Sequence, residues 1–211
     1  MSLEAYFEKI ATLPHVLIAI AVFTVSFAAI TILNPKKKIQ ESLNTSNVTY
    51  FAAGRSFGYD PKQLYLMLDA FNKREDGKTL RKEYTRFFYY DFIYPLLYGF
   101  SLAVIIAYLQ KKWNMPDAAS GLKPTEMHYL WTLPLLAMVF DYAENISLLL
   151  ILKNYEGEPL PLLVGFSRLM TMLKLLLLYA SFFLYLCLIA LWIWEAIKPL
   201  FVKSANQSAS S

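Results

Sequence analysis

Asp141, Glu144 and Asn145 interrupt a stretch, Tyr129 to Leu152, that otherwise has the composition of a membrane-crossing helix. Spaced i, i+3 and i+4, the two carboxylates and the amide share one helix face. Such groups can exchange protons, pair with a cation, or hold a polar ligand. A charged side chain at the centre of a bilayer helix costs roughly 2.5–3.5 kcal/mol on insertion scales. The acids therefore call for a partner within the fold or for a ligand. With two carboxylates one turn apart, at least one is expected to hold its proton at rest.

Partners can be sought by depth and helix phase. At 1.5 Å per residue, Glu144 lies roughly 12 Å from the Leu152 end of its helix, and Asp141 about one turn deeper. Asp91 lies roughly 6 Å into the preceding apolar run, on the same side, with Tyr94 on its face. Ser167, Thr171 and Lys174 share a face at the start of the last apolar run, with Arg168 beside them. Asp91, Tyr94, Asp141, Glu144, Asn145, Arg168, Thr171 and Lys174 are thus expected to meet in one half of a bundle. Lys174 is the counter-ion expected for Glu144 or Asp141. Arg168, with its bidentate fork, suits Asp91 or a lipid phosphate.

Three uses fit these residues. The first is a buried salt-bridge network that fixes helix register. The second is a binding site for a lipid, a small amphipathic ligand or a partner membrane subunit. The third is catalysis, with Asp141 or Glu144 as general acid or base, Tyr94 or Lys174 as the electrophilic partner, and Arg168 holding a phosphate. Asp91, Asp141, Glu144 and Asn145 offer oxygen ligands to a hard cation, but Lys174 and Arg168 oppose one by like charge, and no metal is expected. His15 and His128 fall at the same ends of their helices, where a two-histidine haem or metal site is conceivable; no cofactor is assigned.

The elements that must position these groups follow from composition. Of 211 residues, 57% are hydrophobic and 17% charged. Soluble domains average about 25% charged residues. The chain is therefore read as an all-α, polytopic integral membrane protein, a four-transmembrane-helix bundle. The spans are expected at about 13–33, 87–110, 129–152 and 168–194, within one membrane domain, 1–203, followed by a disordered tail, 204–211. The first apolar run is longer than the 7–15 residues usual in a signal peptide and is read as a retained span. Pro95, Gly99 and Pro134 lie inside spans, where they permit kinks and close helix approach. The single cysteine, Cys187, excludes an intramolecular disulfide.

Between the first two spans lies a helical insertion, 58–86. Asp60 has N-cap chemistry, Pro61 suits the first helical position, and Leu64, Leu68 and Phe71 share a face. A further helix start is expected near Thr79, continuing through Tyr84 and Phe87 into the second span. Residues 34–86 carry eleven of the 20 lysines and arginines. The positive-inside rule places this loop in the cytoplasm and both termini on the non-cytoplasmic side. Trp113, Trp131, Trp192 and Trp194 fall at the opposite ends of the spans, as an aromatic belt would. Asn44 and Asn47 match the glycosylation sequon within the same basic loop, and a glycan on either would reverse this orientation.

The net charge of +4 is concentrated in that loop, which reads as topology rather than nucleic-acid binding. The sequence contains no GxxxxGK[ST], HExxH, CxxC or GxGxxG motif. The layout of four spans with buried acids resembles, in general arrangement alone, the small sterol-isomerase-like membrane proteins, and no residue is carried over from them. The leading expectation is a module of the lipid bilayer that binds a lipid, an amphipathic ligand or a partner subunit at the acid and amide cluster, alone, as a homo-oligomer or within a larger membrane complex. The alternatives are an enzyme acting on a lipid or isoprenoid by acid/base chemistry, and an oligomeric proton- or ion-coupled carrier.

Overall fold

The computed structural model describes residues 3–33, 41, 57, 59–113 and 129–208. Among the described residues seven helices follow in order: α1 (Leu3–Ile10), α2 (Leu13–Leu33), α3 (Pro61–Lys73), α4 (Gly77–Asp91), α5 (Ile93–Trp113), α6 (Thr132–Asn154) and α7 (Pro161–Ser208). Three stretches are long and apolar enough to cross a membrane: Gly77–Lys112, which joins α4 to α5, Thr132–Asn154 and Pro161–Trp194. In α2 the apolar segment Leu13–Ala29 is shorter.

Helices α5, α6 and α7 pack on one another, and α2 lies against α5. Hydrophobic on every face, α5 is the central element, with an unbroken buried run from Ser101 to Ala107. Only 11% of the apolar window of α7 is buried, so most of its surface is not covered by the rest of the described fold. At 48 residues α7 is about 72 Å long, more than twice the hydrocarbon thickness of a bilayer. It begins before position 168 and runs on to Ser208, into the stretch whose composition reads as a tail.

Sequence reasoning gave no warning of α1. Its Phe7 is 1% exposed and stacks on Trp131 at 4.3 Å, so this tryptophan is packed inside the fold rather than standing in a belt. Trp192 and Trp194 are exposed.

At the other end of the bundle, α3 and α4 form a cap. Asp60 caps α3 by accepting from the Lys62 amide at 3.0 Å, with Pro61 in the first turn. Leu64, Leu68 and Phe71 are all buried, as their spacing predicts. Their core includes Phe87 and Phe88 of α4, Leu148 and Ile151 of α6, and Val164 of α7. Gly77 sits where a Cβ would lie 2.1 Å from the Phe71 carbonyl oxygen, so the turn from α3 into α4 has room only for glycine. The junction from α4 to α5 falls at Phe92, just before Pro95. Proline supplies no amide to the carbonyl four residues earlier, which is that of Asp91, and the helix breaks there.

Candidate functional site

Between the cap core and the middle of the bundle lies a layer of polar side chains in an otherwise apolar interior. Asp141, Glu144 and Asn145 on α6, and Ser167, Thr171 and Lys174 on α7, are all buried. The i, i+3, i+4 spacing on α6 faces the i, i+4, i+7 spacing on α7, so the two polar rows oppose each other along the most extensive helix pairing in the protein.

Lys174 Nζ lies 3.3 Å from Asp141 Oδ1 and also contacts Glu144 Oε2. It thereby bridges the two acids, where pairing with either one was expected. The Thr171 hydroxyl lies 2.8 Å from Glu144 Oε1 and 3.0 Å from the main-chain oxygen of Ser167. The remaining oxygen of Asp141, Oδ2, accepts from the Tyr98 hydroxyl on α5 at 2.9 Å.

Sequence reasoning did not pick out Tyr98. Its signal was nonetheless present, because Tyr98 follows Asp91 and Tyr94 at i+7 and i+4 on one face. Gly99 explains how it reaches Asp141. A Cβ at Gly99 would stand 2.9 Å from the Met138 Cβ, so α5 and α6 approach closely one residue away. Tyr94 packs its ring on Tyr98 at 5.3 Å. Asp91, half-buried, is within electrostatic reach of Lys174 and Tyr98. One turn away, Tyr142 donates to the Phe92 carbonyl at 2.8 Å, at the break between α4 and α5.

Arg168 lies off this buried face, within electrostatic reach of Tyr59. It is exposed, turned away from the buried face of Ser167, Thr171 and Lys174. The ring of His15 accepts from or donates to Thr12 Oγ1 at 2.7 Å in an exposed position, and His128 lies outside the described residues. Among the described residues, no group of three or more His, Cys, Asp or Glu side chains is placed to hold a metal ion.

At this layer the buried Asn145 amide nitrogen has no hydrogen-bond partner among the described residues, and the buried Ser167 hydroxyl has the Tyr59 hydroxyl beside it. Their residues are 2% and 0% exposed. Tyr59, just ahead of α3, closes the layer from the cap side. Its ring is buried, its hydroxyl donates to the Val164 carbonyl at 3.4 Å, and Ser167 is close by. Burial pushes the Tyr59 phenol above its ordinary range, so it is a neutral donor at physiological pH. Tyr59 could not be found from the sequence, because only the folding of the cap onto α6 and α7 brings it here.

The arrangement can do two things chemically. It can hold a proton or a charge in a sealed interior, and it can offer donors to an acceptor-bearing group. Comparison with protein-family models, with curated proteins and with solved structures returned no match.

Proposed function

We propose that this chain is a small integral membrane protein that binds the polar head of a lipid, or of a small amphipathic molecule, at the layer between α6, α7 and the cap. One observation carries this reading: Asn145 Nδ2, sealed from solvent, has no hydrogen-bond partner among the described residues, beside a cluster whose other members are paired, and the Ser167 hydroxyl, next to Tyr59, offers a second donor at the same layer. Leaving a buried donor unmade costs about 1–3 kcal/mol, and a hydrophobic environment offers it no water to recover that loss. Both atoms can donate, so the group that suits them carries acceptor oxygens, as ester, phosphate and hydroxyl heads do. The acyl portion of such a ligand would lie along α7, whose exposed face includes Leu162, Phe166 and Leu169 near Ser167.

In this reading α2 is the fourth span, lying against α5, and the cap is cytoplasmic. The basic residues of 34–86 support that side. A partner membrane subunit supplying the acceptor from its own backbone is the second occupant the same donors would accept.

The test is lipid analysis by native mass spectrometry of the purified protein and of Asn145→Leu and Ser167→Ala. The reading expects a lipid or small amphiphile to be retained by the parent chain and depleted in both variants. An unchanged complement in both, with Asn145→Leu more stable than the parent, would mean the donors are merely unsatisfied and the reading fails.

A further inference from the structure

The same cluster poses a question of charge and hydrogen count that is independent of any bound head group. Two carboxylates, Asp141 and Glu144, share one ammonium, Lys174, and all three residues are at least 94% buried. With every group ionised the layer would carry one uncompensated negative charge, and half-buried Asp91 adds to the negative field at Lys174. An isolated charge taken into a low-dielectric interior costs several kcal/mol even after relaxation.

The hydrogen count favours Glu144 as the neutral acid. The Thr171 hydroxyl has one hydrogen, yet its oxygen stands within bonding distance of two oxygens, 2.8 Å from Glu144 Oε1 and 3.0 Å from the Ser167 carbonyl. A carbonyl oxygen carries no hydrogen and can only accept. If Glu144 were ionised it too could only accept, and the single Thr171 hydrogen would have to be shared between two acceptors in a three-centre bond, weaker toward each. If Glu144 carries a proton on Oε1, it donates to Thr171, and Thr171 donates to Ser167. Both contacts are then satisfied, and Glu144 Oε2 remains free to accept from Lys174. Asp141 has no such requirement. Its two oxygens accept from Lys174 and from Tyr98, as an ionised carboxylate should.

We infer that Glu144 is a proton-binding site: the resting protein holds one exchangeable proton on this side chain, with Asp141 ionised and paired to Lys174, so that the buried trio is neutral. The groups that face Glu144 and set its proton affinity are Asp141 on its own helix, Lys174 on α7, Tyr59 from the cap side, and Asp91 and Tyr98 acting through Lys174 and Asp141. Release of the proton leaves one net negative charge in the interior. It is therefore expected to accompany opening of the layer or arrival of a cation, a property that suits proton-coupled binding or transport better than a fixed strut.

Infrared spectroscopy of the full chain in lipid nanodiscs at neutral pH tests this directly. A carbonyl band of a buried, protonated carboxylic acid is expected. It should shift in deuterium oxide, shift again when glutamate but not aspartate is carbon-13 labelled, and vanish in Glu144→Gln. Absence of a glutamate-dependent band in the parent protein overturns the proposal, and that measurement needs no variant to fold. Stability gives a second reading. Glutamine can donate where the neutral acid does, so Glu144→Gln should keep the parent's melting temperature, whereas Asp141→Asn should lower it. The reverse order, or Glu144→Gln failing to fold while Asp141→Asn folds, would show that Glu144 is the ionised partner.

Discussion

Tyr98 on α5 and Asp141 on α6 are joined at 2.9 Å, hydroxyl to carboxylate, across the interface that Gly99 and Met138 hold close. The bond ties the central helix to a cluster otherwise shared by α6 and α7. Lys174 then attaches α7 to the same carboxylate, so one aspartate links three helices.

Replacing Tyr98 by Phe keeps the ring, and its packing with Tyr94, but removes the donor to Asp141. A hydrogen bond to a charged group is worth about 1.5–3 kcal/mol, and the variant should lose about that much stability. Unfolding in mixed detergent micelles measures it. The loss should shrink sharply when Tyr98→Phe is made in an Asp141→Asn background, because the charge that needed the donor is gone. Additive losses in the double variant would mean that Tyr98 acts through packing alone.

Lys174→Leu removes the cation that bridges Asp141 and Glu144. Stripping one partner from a buried ion pair typically costs about 3–5 kcal/mol, enough to threaten folding of a protein this size. Adding Asp141→Asn removes the charge left behind. With Glu144 neutral, the double variant has no buried charge at these positions and should recover most of the lost stability. If thermal unfolding shows no recovery, the geometry of the ammonium rather than its charge is what the fold needs.

These residues show how far sequence reasoning reached. Asp141, Glu144, Thr171 and Lys174 were legible because charge is scarce in apolar helices and phase along a single helix is simple geometry. Tyr98 escaped because an aromatic ring in an apolar run has the appearance of filler, and only its close approach to Asp141 distinguishes it. Arg168 fails the phase test in the opposite sense. Neighbours in sequence are about 100° apart around a helix, so lying next to Ser167 puts Arg168 on a different face. The cap helix α3 was readable from its N-cap and its apolar spacing. The burial of Tyr59 and the stacking of Phe7 on Trp131 were not, because both join segments distant in sequence.

Gly99→Ala probes the close approach of α5 and α6. Its new Cβ would stand 2.9 Å from the Met138 Cβ and 3.1 Å from the Met138 sulfur. The helices must separate, and overpacking of this kind typically costs about 1–3 kcal/mol. Separation would also lengthen the bond from Tyr98 to Asp141, so Gly99→Ala and Tyr98→Phe should be less than additive. Met138→Gly in the Gly99→Ala background exchanges the two side chains' roles and should restore part of the stability. Wild-type stability for Gly99→Ala alone would show that Met138 yields without cost.

A last relationship governs the cap. The Tyr155 hydroxyl, just past the end of α6, donates to Asp69 Oδ1 of α3 at 2.7 Å, while its ring stacks on Tyr65. Tyr65 in turn accepts from the Leu160 amide at 3.0 Å, in the turn leading to α7. The Tyr155 bond is the main reason that the Asp69 carboxyl lies below its ordinary range, with Lys73 adding to it. A depressed carboxyl contributes stability above its unfolded value and loses it as pH falls through the folded one, so the latch weakens in acid. Burial first, and Asp69 second, push the Tyr155 phenol from 10.0 to about 12. A raised phenol contributes fully below its unfolded value and loses that contribution as pH climbs through the folded one, so the latch also weakens in strong alkali. Protection of the α3 amides, with exchange corrected for its intrinsic pH dependence, should therefore be greatest across the neutral range and fall at both extremes. Tyr155→Phe, which keeps the stacked ring, should flatten that profile and speed exchange near neutrality. If Tyr155→Phe leaves the exchange of α3 unchanged at every pH, apolar packing alone holds the cap.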